Sequence, residues 1–379
     1  MKVIYLVGTL GAGGLERFVT RMALMAKRTG AFTPAIICLT SKTGLFLAQL
    51  EQAGVEVVQG PSGWYRSLIG VYRLKNTIAK LNGDIVHSQV NYSLLQQFLA
   101  SVWAGSKYAV TERSKYSRSG MDLVRRRIQF RILKFFEVRY SANAVAVAQH
   151  LSKMVGVPVE YFTVIPNGVE ITSPNLEKIA TIKRRLNIGV EDFTIGYVAR
   201  MDPPKGHLFL LNVLRILIIE KKLPCKVLLV GDGSMRKLIE ERIHEFGLSD
   251  YIILTGVVAD VEDWMPVFDM VMLLSNREGM PNAILEAMAA SRPIVATAVG
   301  NIPELLGNEA GIVVAHDADS ANVADLVESL MNDKAKRQFI GEKACEKIRD
   351  LYSIEKTWSK LLAYYEAILG LKRESGYGS

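Results

Sequence analysis

The stretch from Val271 to Glu304 reads VMLLSNREGMPNAILEAMAASRPIVATAVGNIPE and is the most informative part of the chain. It opens with a short apolar run, Val271 to Leu274, of the length that a buried parallel strand has, and then breaks at polar residues and a glycine. Pro281 suits a first helical turn, and the alanine-rich apolar residues that follow favour a helix. The pattern therefore predicts a strand, a loop that carries Glu278 and a helix that carries Glu286.

These two glutamates are expected to face one crevice at the carboxyl end of the strand, where open α/β sheets bind their ligands. Carboxylates accept strong hydrogen bonds from sugar hydroxyls, and free backbone N–H groups at the start of a helix suit phosphate. A nucleotide sugar has both features. Either glutamate alone is more simply explained as a solvated surface charge, so the hypothesis depends on the whole pattern.

The segment EGMPNAILEAMAASRPIVAT resembles the E-x7-E signature of the large family 4 of retaining GT-B glycosyltransferases, which use activated sugars. The resemblance implies that Glu278 lies by the hydroxyls of the donor sugar and that Glu286 holds the ribose. It also places Met280, Pro281 and Asn282 in the nucleotide-sugar site. The fold that it implies is α/β, with two doubly wound Rossmann-like domains facing a central cleft.

The remaining chain alternates short apolar runs with helical segments, which is typical of parallel sheets. Strands are predicted at residues 3–7, 34–39, near 55, 84–87, 108–111, 144–148, 194–198, 226–230, 252–255, 270–274 and 293–297. Pro166, Asn167 and Gly168 predict the joint between two domains. We therefore expect an acceptor-binding domain at residues 1–168 and a nucleotide-sugar-binding domain at 169–352. As the resemblance implies, the C-terminal helix at 353–379 should pack back on the first domain.

A glycine-rich stretch, GAGGLE at residues 11–16, follows the first predicted strand and begins a helix. Glycine lets a phosphate approach the backbone N–H groups, although a tight turn without a ligand explains the stretch equally well. A dinucleotide fingerprint would need a third glycine where Glu16 stands. The GGLER sequence resembles the first-domain loop of the family, which implies that Gly14 lies by the donor's β-phosphate and that Gly13 belongs to the same donor-binding loop.

Two cations, Arg200 and Lys205, lie between a predicted strand and a helix in the sequence ARMDPPKGH. Each alone is typical of a solvated loop, but together they can neutralise a departing diphosphate. The family has this Arg and Lys-Gly pair and gives it that task. The sequence VLLVGDG also matches the family, which implies that Gly231 and Gly233 bring backbone close to the nucleotide.

The net charge of +8 is unevenly distributed along the chain. Residues 1–172 carry 21 Lys and Arg against 9 Asp and Glu, or +12, whereas the remainder carries 25 against 29, or −4. The basic segment at residues 113–140 interleaves arginines with large apolar residues, which favours an anionic membrane surface as a partner. An ordinary domain helix with a charged outer face explains the segment equally well.

Neither a signal peptide nor an apolar run of membrane-spanning length is visible, so a cytoplasmic protein, peripheral at the inner face of the cell membrane, is expected. Cys38, Cys225 and Cys345 are predicted to be buried reduced thiols. Asp317 and Asp319 form a D-x-D motif of the kind that holds Mn²⁺ in another glycosyltransferase fold, but capping of the following helix explains it better. No metal and no further cofactor are expected.

The chain departs from the family in its first half. Members usually carry a His in a Thr-x-His context at a strand end, where this chain has Glu112 within VTER. His87 ends an earlier strand and is interpreted as a packed residue, and Gln89 stands where the family often has a second His. Glu112 is predicted either to contact the donor or acceptor or to pair with Arg113 or another cation. Asn301 also departs, since a second glycine is frequent there.

The residues and the resemblance together predict a retaining, metal-independent glycosyltransferase. It would move a sugar from a nucleotide diphosphate sugar, most simply a UDP-sugar, to a hydroxyl acceptor such as a lipid-linked oligosaccharide of surface polysaccharide synthesis. The catalytic set is Arg200, Lys205, Glu278 and Glu112. The alternatives are a nucleotide-sugar epimerase of the same fold, a scaffold that binds nucleotide sugars without turnover, and a nonenzymatic nucleic-acid binder. The acidic second domain disfavours nucleic acid as a partner.

Overall fold

The computed structural model describes residues 1–61, 63, 67–113 and 120–371 of the chain. Its contacts divide the chain into two compact units. Unit 1 consists of Met1–Asn167 and the C-terminal residues from Glu355 onward, and unit 2 consists of Gly168–Ile354. Parts of two predictions, residues 114–119 of the basic segment and residues 372–379 of the C-terminal segment, lie outside the described residues.

Unit 1 alternates strands and helices from its first residues onward. In chain order these are β1 Lys2–Val7, α1 Gly14–Thr29, β2 Thr33–Cys38, α2 Leu47–Gln52, β3 Glu56–Gln59, α3 Leu68–Leu81, β4 Ile85–Ser88, α4 Leu94–Trp103, β5 Lys107–Glu112, α5 Gly120–Phe135, β6 Arg139–Ala142, α6 Val145–Val155 and β7 Phe162–Val164. In the described residues the seven strands form one parallel sheet, ordered β3-β2-β1-β4-β5-β6-β7. Strand β1 is buried from Val3 to Val7, which explains its continuous apolar run.

One predicted strand, at residues 144–148, is wrong, because these residues begin helix α6. The sixth strand of the sheet, β6, comes just before them and carries polar residues that hid it. Val147, Ala148 and Leu151 are buried at helical spacing. Alternating valine and alanine favour a strand locally, but the burial of one helix face overrides this preference.

Unit 2 repeats the alternation. Its elements are α7 Leu176–Arg185, β8 Thr194–Val198, α8 His207–Arg215, β9 Lys226–Val230, α9 Arg236–Glu245, β10 Ile252–Gly256, α10 Val261–Trp264, β11 Met270–Leu273, α11 Asn282–Ala289, β12 Ile294–Thr297, α12 Ile302–Leu306, β13 Ile312–Val314, α13 Ser320–Asn332 and α14 Lys334–Lys347. Six parallel strands of the described residues are ordered β10-β9-β8-β11-β12-β13. The predicted strands of this unit are confirmed to within one residue at each end. Both units are Rossmann-like α/β sheets, as predicted.

The last described helix, α15 (Ile354–Leu369), packs on unit 1 through aromatic side chains. The Tyr365 hydroxyl lies 2.8 Å from His87 Nδ1 and donates to the Tyr5 hydroxyl at 3.0 Å. The other ring nitrogen of His87 lies 2.6 Å from the Thr111 hydroxyl. His87 is 1% exposed and both of its nitrogens are bonded, so it is a packed residue that ties α15 to the sheet.

The structure also bears on the predicted thiols, the D-x-D motif and the possible metal and membrane segments. Cys38, Cys225 and Cys345 are free and buried, as predicted. Asp319 occupies the N-cap position of α13, as predicted. Its side chain accepts no hydrogen bond from the helix, so capping by the carboxylate is not observed. Across the described residues, no group of three or more His, Cys, Asp or Glu side chains could hold a metal ion. None of the described helices is long and apolar enough to cross a bilayer.

The free energy of unfolding is expected to fall as the pH decreases below the ordinary histidine pKa. Burial, followed by the charge of Arg113, lowers the pKa of His87 from 6.5 to about 3. Between pH 7 and 5 His87 therefore binds a proton in the unfolded chain but not in the folded chain. This difference lowers the free energy of unfolding by about 2 kcal/mol. Denaturant titrations of wild-type protein and His87→Gln at pH 7 and 5 should differ in their pH dependence by this amount.

Equal pH dependence in wild-type protein and His87→Gln would contradict the buried neutral state of His87.

Candidate functional site

The two central strands of unit 2, β8 and β11, are neighbours at the point where the strand order reverses. The connections from these strands run in opposite directions, so the loops at their carboxyl ends diverge and leave a crevice there. The loop after β8 carries Arg200 and Lys205, and the loop after β11 carries Glu278. The structure thus brings these predicted residues to one edge of one sheet.

Lys205 and Glu278 form an ion pair at this edge, with 2.7 Å between Lys205 Nζ and Glu278 Oε1. The Ser275 hydroxyl donates a hydrogen bond of 2.8 Å to the same oxygen. The Glu278 side chain is 7% exposed and that of Lys205 is 23% exposed. Within the described residues Glu278 Oε2 accepts no hydrogen bond, so one carboxylate oxygen stays available as an acceptor.

Glycines allow the loops to approach this closely. Gly206 has a φ of 67°, and a Cβ on it would stand 1.8 Å from the carbonyl oxygen of Leu274. Gly300 has a φ of 62°, and a Cβ there would stand 2.4 Å from the carbonyl oxygen of Glu278. The next residue, Asn301, donates its backbone N–H to Gly279 at 2.9 Å. Any side chain at Gly206 or Gly300 would therefore force the loops apart.

Arg200 lies further out on the same loop. Its guanidinium is 3.2 Å from Asp202 Oδ2, and its side chain is 69% exposed, so the pair contributes little to stability. The backbone N–H and the hydroxyl of Ser234 donate to Asp202 Oδ1, and these bonds, with the charge of Arg200, lower the pKa of Asp202. Because the Arg200 guanidinium is itself exposed to solvent, Arg200 can turn to an anionic ligand at small cost.

Gly231 and Gly233 follow β9 and press against the loop that carries Arg200. A Cβ on Gly231 would lie 2.2 Å from the carbonyl oxygen of Ala199, and one on Gly233 would lie 2.6 Å from that of Met201. Both glycines therefore have a packing reason in the structure.

The helix α11 supplies the remaining predicted residues of this unit. Pro281 precedes the helix instead of standing in its first turn, and Asn282 is the first helical residue. Met280 is 5% exposed and Glu286 is 4% exposed. A glutamate this buried is unusual, which argues against the explanation of Glu286 as a surface charge.

Sequence reasoning missed two residues at this edge. Ser275, whose hydroxyl donates to Glu278, lies just after β11. Its position after a predicted strand is the one signal in the sequence that could have marked it as a site residue. His207, at the start of α8, is 2% exposed, and neither ring nitrogen has a partner in the described residues. Burial lowers the pKa of His207 to about 4. His207 is therefore neutral near pH 7. Its ring centre lies 5.0 Å from that of Tyr197, and this packing supports the loop that carries Lys205.

In unit 1, the glycine-rich loop precedes α1, with Gly13 in the position before the helix and Gly14 as its first residue. A Cβ on Gly13 would lie 2.2 Å from Glu16 Oε2, which places the Glu16 carboxylate at the start of the helix. A glutamate at this position of a helix can reach back toward the free backbone N–H groups of the first turn. A phosphate at Gly14 would have to displace this carboxylate.

Glu112 ends β5 in a buried ion pair with Arg126 of α5, with 2.9 Å between Oε2 and Nη2. Glu112 is 4% exposed and Arg126 is 2% exposed. The Asn91 side-chain amide donates to Glu112 Oε1 at 3.3 Å, and Arg126 bonds to the Asn91 carbonyl. The partner of Glu112 is thus Arg126, and Arg126 does not belong to the exposed basic face that the sequence indicated.

Removal of either member of this pair should destabilise unit 1. Glu112→Gln and Arg126→Met are each expected to lower the free energy of unfolding by about 3–5 kcal/mol, because each leaves a buried charge uncompensated. The double variant should lose much less than the sum, as measured by denaturant unfolding. If Glu112 instead acts on the substrate alone, Glu112→Gln would keep its melting temperature and lose turnover.

Two protein-family models match the chain. The model described as Glycosyltransferase Family 4 matches residues 12–173, and the model described as Glycosyl transferases group 1 matches residues 192–333. Together they take in most of both units.

Individual proteins are similar at lower identity. The chain is 26% identical over 205 residues to the capsular polysaccharide biosynthesis glycosyltransferase CapM of Staphylococcus aureus, a match that covers 54% of this chain and 53% of CapM. The chain thus spans about half the length of this relative. It is also 24% identical over 307 residues to the UDP-Gal:alpha-D-GlcNAc-diphosphoundecaprenol alpha-1,3-galactosyltransferase of Escherichia coli, covering 76% of this chain and 79% of that protein.

Among solved structures, that of Anabaena HepE in complex with UDP-glucose matches with a TM-score of 0.82. The identity is 21%, and the match covers 97% of this chain and 99% of HepE, so the likeness concerns the fold. The chain therefore belongs to the family 4 glycosyltransferases, which have the GT-B fold.

Proposed function

We propose that this chain transfers a sugar from a nucleotide diphosphate sugar to a hydroxyl acceptor. The observation that carries the proposal is the ion pair between Lys205 and Glu278, 2.7 Å apart at the switch point of unit 2. A sugar phosphate holds hydroxyls and phosphoryl oxygens a few bonds apart. Such a ligand can donate a hydroxyl hydrogen bond to Glu278 Oε2 while its phosphate stays beside the ammonium of Lys205.

The transfer itself needs stabilisation of the leaving group. As the bond between the sugar and the diphosphate breaks, negative charge grows on the phosphate, and Lys205 and Arg200 can neutralise it. We infer a retaining reaction in which the acceptor oxygen attacks from the face that the diphosphate leaves. The acceptor proton then passes to the departing phosphate oxygen, so no side-chain base and no metal ion are required.

The other predicted residues are proposed to hold the donor. Glu286 would bind the ribose, and the backbone of residues 280–282 would lie along the phosphates at the start of α11. Gly231 and Gly233 would admit the nucleotide, and Gly13 and Gly14 would meet its β-phosphate after Glu16 moves away. The complex of HepE with UDP-glucose supports UDP as the nucleotide.

For the acceptor, we infer a lipid-linked oligosaccharide of polysaccharide or glycoconjugate synthesis. The relatives support this class, since one acts in capsular polysaccharide biosynthesis and the other on a diphosphoundecaprenol-linked sugar. Glu112 is proposed to orient the acceptor from the end of β5. An epimerase of the same fold would convert a nucleotide sugar to its isomer without any acceptor and without releasing UDP, and product analysis separates the two.

The leaving-group assignment predicts the effect of two substitutions. Arg200→Ala and Lys205→Gln should each lower turnover by on the order of 100-fold, because a charge that stabilises the transition state is lost. Arg200→Ala should keep the melting temperature, since its ion pair with Asp202 is solvated. Lys205→Gln keeps a hydrogen-bond donor for Glu278 and limits the loss of stability. Turnover is measured as release of UDP from the UDP-sugar that stabilises the wild-type protein in a thermal-shift screen.

The matched control is Lys237→Ala, which removes an exposed cation of the same unit. It should leave turnover unchanged. Wild-type turnover in a folded Lys205→Gln variant would contradict the assignment. In the donor screen, a ligand at 100 times its dissociation constant should add about 2.7 kcal/mol to the free energy of unfolding.

The outer face of α5 supports an anionic membrane surface as a partner. An apolar stripe there is exposed to solvent and consists of Met121, Val124, Ile128, Ile132 and Phe135, of which the first and last are each 82% exposed. Exposed arginines flank the stripe at positions 125, 127 and 131. An apolar stripe bordered by cations is typical of helices that lie in the headgroup region of a bilayer. We propose that this α5 outer face rests on the cytoplasmic surface of the membrane, close to a lipid-linked acceptor.

Charge reversal on the α5 outer face should release the protein from lipid vesicles. Arg125→Glu/Arg131→Glu is expected to weaken sedimentation with anionic vesicles by more than about tenfold, since each cation near the surface contributes about 1 kcal/mol. Arg184→Glu/Lys237→Glu reverses two exposed charges of unit 2 and should bind vesicles like the wild-type protein. Equal binding by both double variants would show that α5 serves another purpose.

A further inference from the structure

Gln89, which stands where the family often has a second His, contacts Arg113 in unit 1. Gln89 follows β4, and Arg113 follows directly on Glu112 at the end of β5. Arg113 Nε donates to Gln89 Oε1 at 3.0 Å, and its Nη1 donates to Asn167 Oδ1 at 2.6 Å. The guanidinium also lies 3.6 Å from the centre of the Phe18 ring. These contacts hold the Arg113 side chain in a fixed place at the carboxyl edge of the sheet.

The charge of Arg113 is not neutralised. Both of its side-chain acceptors are neutral amides, and in the described residues it forms no ion pair with a carboxylate. Its neighbour Glu112 is already engaged by Arg126. Burial lowers the pKa of Arg113 to about 9, and the nearby Tyr5, Tyr365 and Glu16 offset only part of this shift. The side chain is half-buried, so a ligand can reach it from solvent.

Gln89 adds a second unsatisfied donor. The residue is 3% exposed, and its Nε2 has no hydrogen-bond partner among the described residues. A buried N–H donor without an acceptor destabilises the fold, and such groups are rare in native proteins unless they have a function. Its Oε1 is held by Arg113, which fixes the amide orientation and leaves only N–H groups free. Arg113 therefore lacks a counter-charge and the Gln89 amide lacks an acceptor, and an anionic oxygen would supply both.

We propose that Gln89 and Arg113 form an oxyanion-binding site of unit 1, which takes a phosphate or carboxylate group of the acceptor. The inference rests on the proposed function only in naming the acceptor as the molecule that carries the anion. An oxyanion suits the site because its oxygens accept several charge-assisted hydrogen bonds at once. Arg113 presents a planar fork of N–H groups, of which Gln89 and Asn167 take two, and the remaining ones have no acceptor among the described residues.

The test uses the full chain with the cations of unit 2 removed. In the background Arg200→Ala/Lys205→Gln, inorganic phosphate and acetate are titrated separately, and the rise in melting temperature is followed. We expect at least one of the two anions to stabilise this protein; stabilisation by phosphate alone or by acetate alone identifies the class of anion. No stabilisation by either anion would overturn the proposal.

The decisive variant is Gln89→Glu in the same background. It keeps the acceptor for Arg113, removes the unsatisfied N–H group and neutralises the cation, so the melting temperature without ligand should rise. The apparent affinity for the anion should fall by more than about tenfold, because a charge-assisted hydrogen bond is lost and a repulsive charge is gained. Gln52→Glu, an exposed position of unit 1, makes the same charge change and should leave anion binding unaltered.

Two outcomes would overturn the site. Unchanged anion binding in Gln89→Glu would show that Arg113 and Gln89 are purely structural. Loss of UDP binding when Gln89→Glu is placed in the otherwise wild-type protein would assign the anion to the donor instead of the acceptor. Binding of UDP to the wild-type protein tests the proposed function separately, so failure of one proposal is distinguishable from failure of the other.

Discussion

The candidate site of unit 2 depends on backbone contacts that only glycine permits. Gly206 lies against the carbonyl of Leu274, and Gly300 lies against that of Glu278, at distances that leave no room for a Cβ. These contacts bring the loop after β8 onto the loop after β11 and set the 2.7 Å contact of Lys205 with Glu278. The positions of the cation and the carboxylate are therefore fixed by the main chain, and the flexible lysine side chain spans only the last part of the distance.

The sequence predicted the sheets well because their strands are buried on both faces and read as apolar runs. It also predicted the order of Arg200, Lys205 and Glu278 along the chain. It could not predict the direct contact between Lys205 and Glu278, because that contact follows from how two loops pack and not from spacing. The same limit explains Arg126, whose neighbours Arg125 and Arg127 are exposed, while it turns inward to a partner fourteen positions earlier. Only the packing of α5 on β5 buries Arg126 and leaves Arg125 and Arg127 exposed.

The carboxyl edge of unit 1 is unusually polar for a protein interior. His87, Glu112 and Arg113 are each held by side chains from other elements. Such buried polar groups stabilise a fold less than apolar residues of similar size would, and each has to be satisfied by its neighbours. Both ring nitrogens of His87 have hydrogen-bond partners, and Glu112 is paired with Arg126. Arg113 has no ion-pair partner and Gln89 Nε2 has no acceptor among the described residues, so a ligand is proposed for these two residues and not for the whole network.

The two units differ in how they relate to the family. In unit 2 two residues that match the family, Lys205 and Glu278, lie in contact at one edge of the sheet. Two of the three departures, at positions 89 and 112, lie in unit 1, which also carries the excess positive charge of the chain, and the third, Asn301, lies in unit 2. Relatives that share a type of donor but differ in acceptor would vary in this way. The proposed anionic acceptor would supply a counter-charge to Arg113, which forms no ion pair with a carboxylate of the described residues, and it fits the excess of positive charge in unit 1.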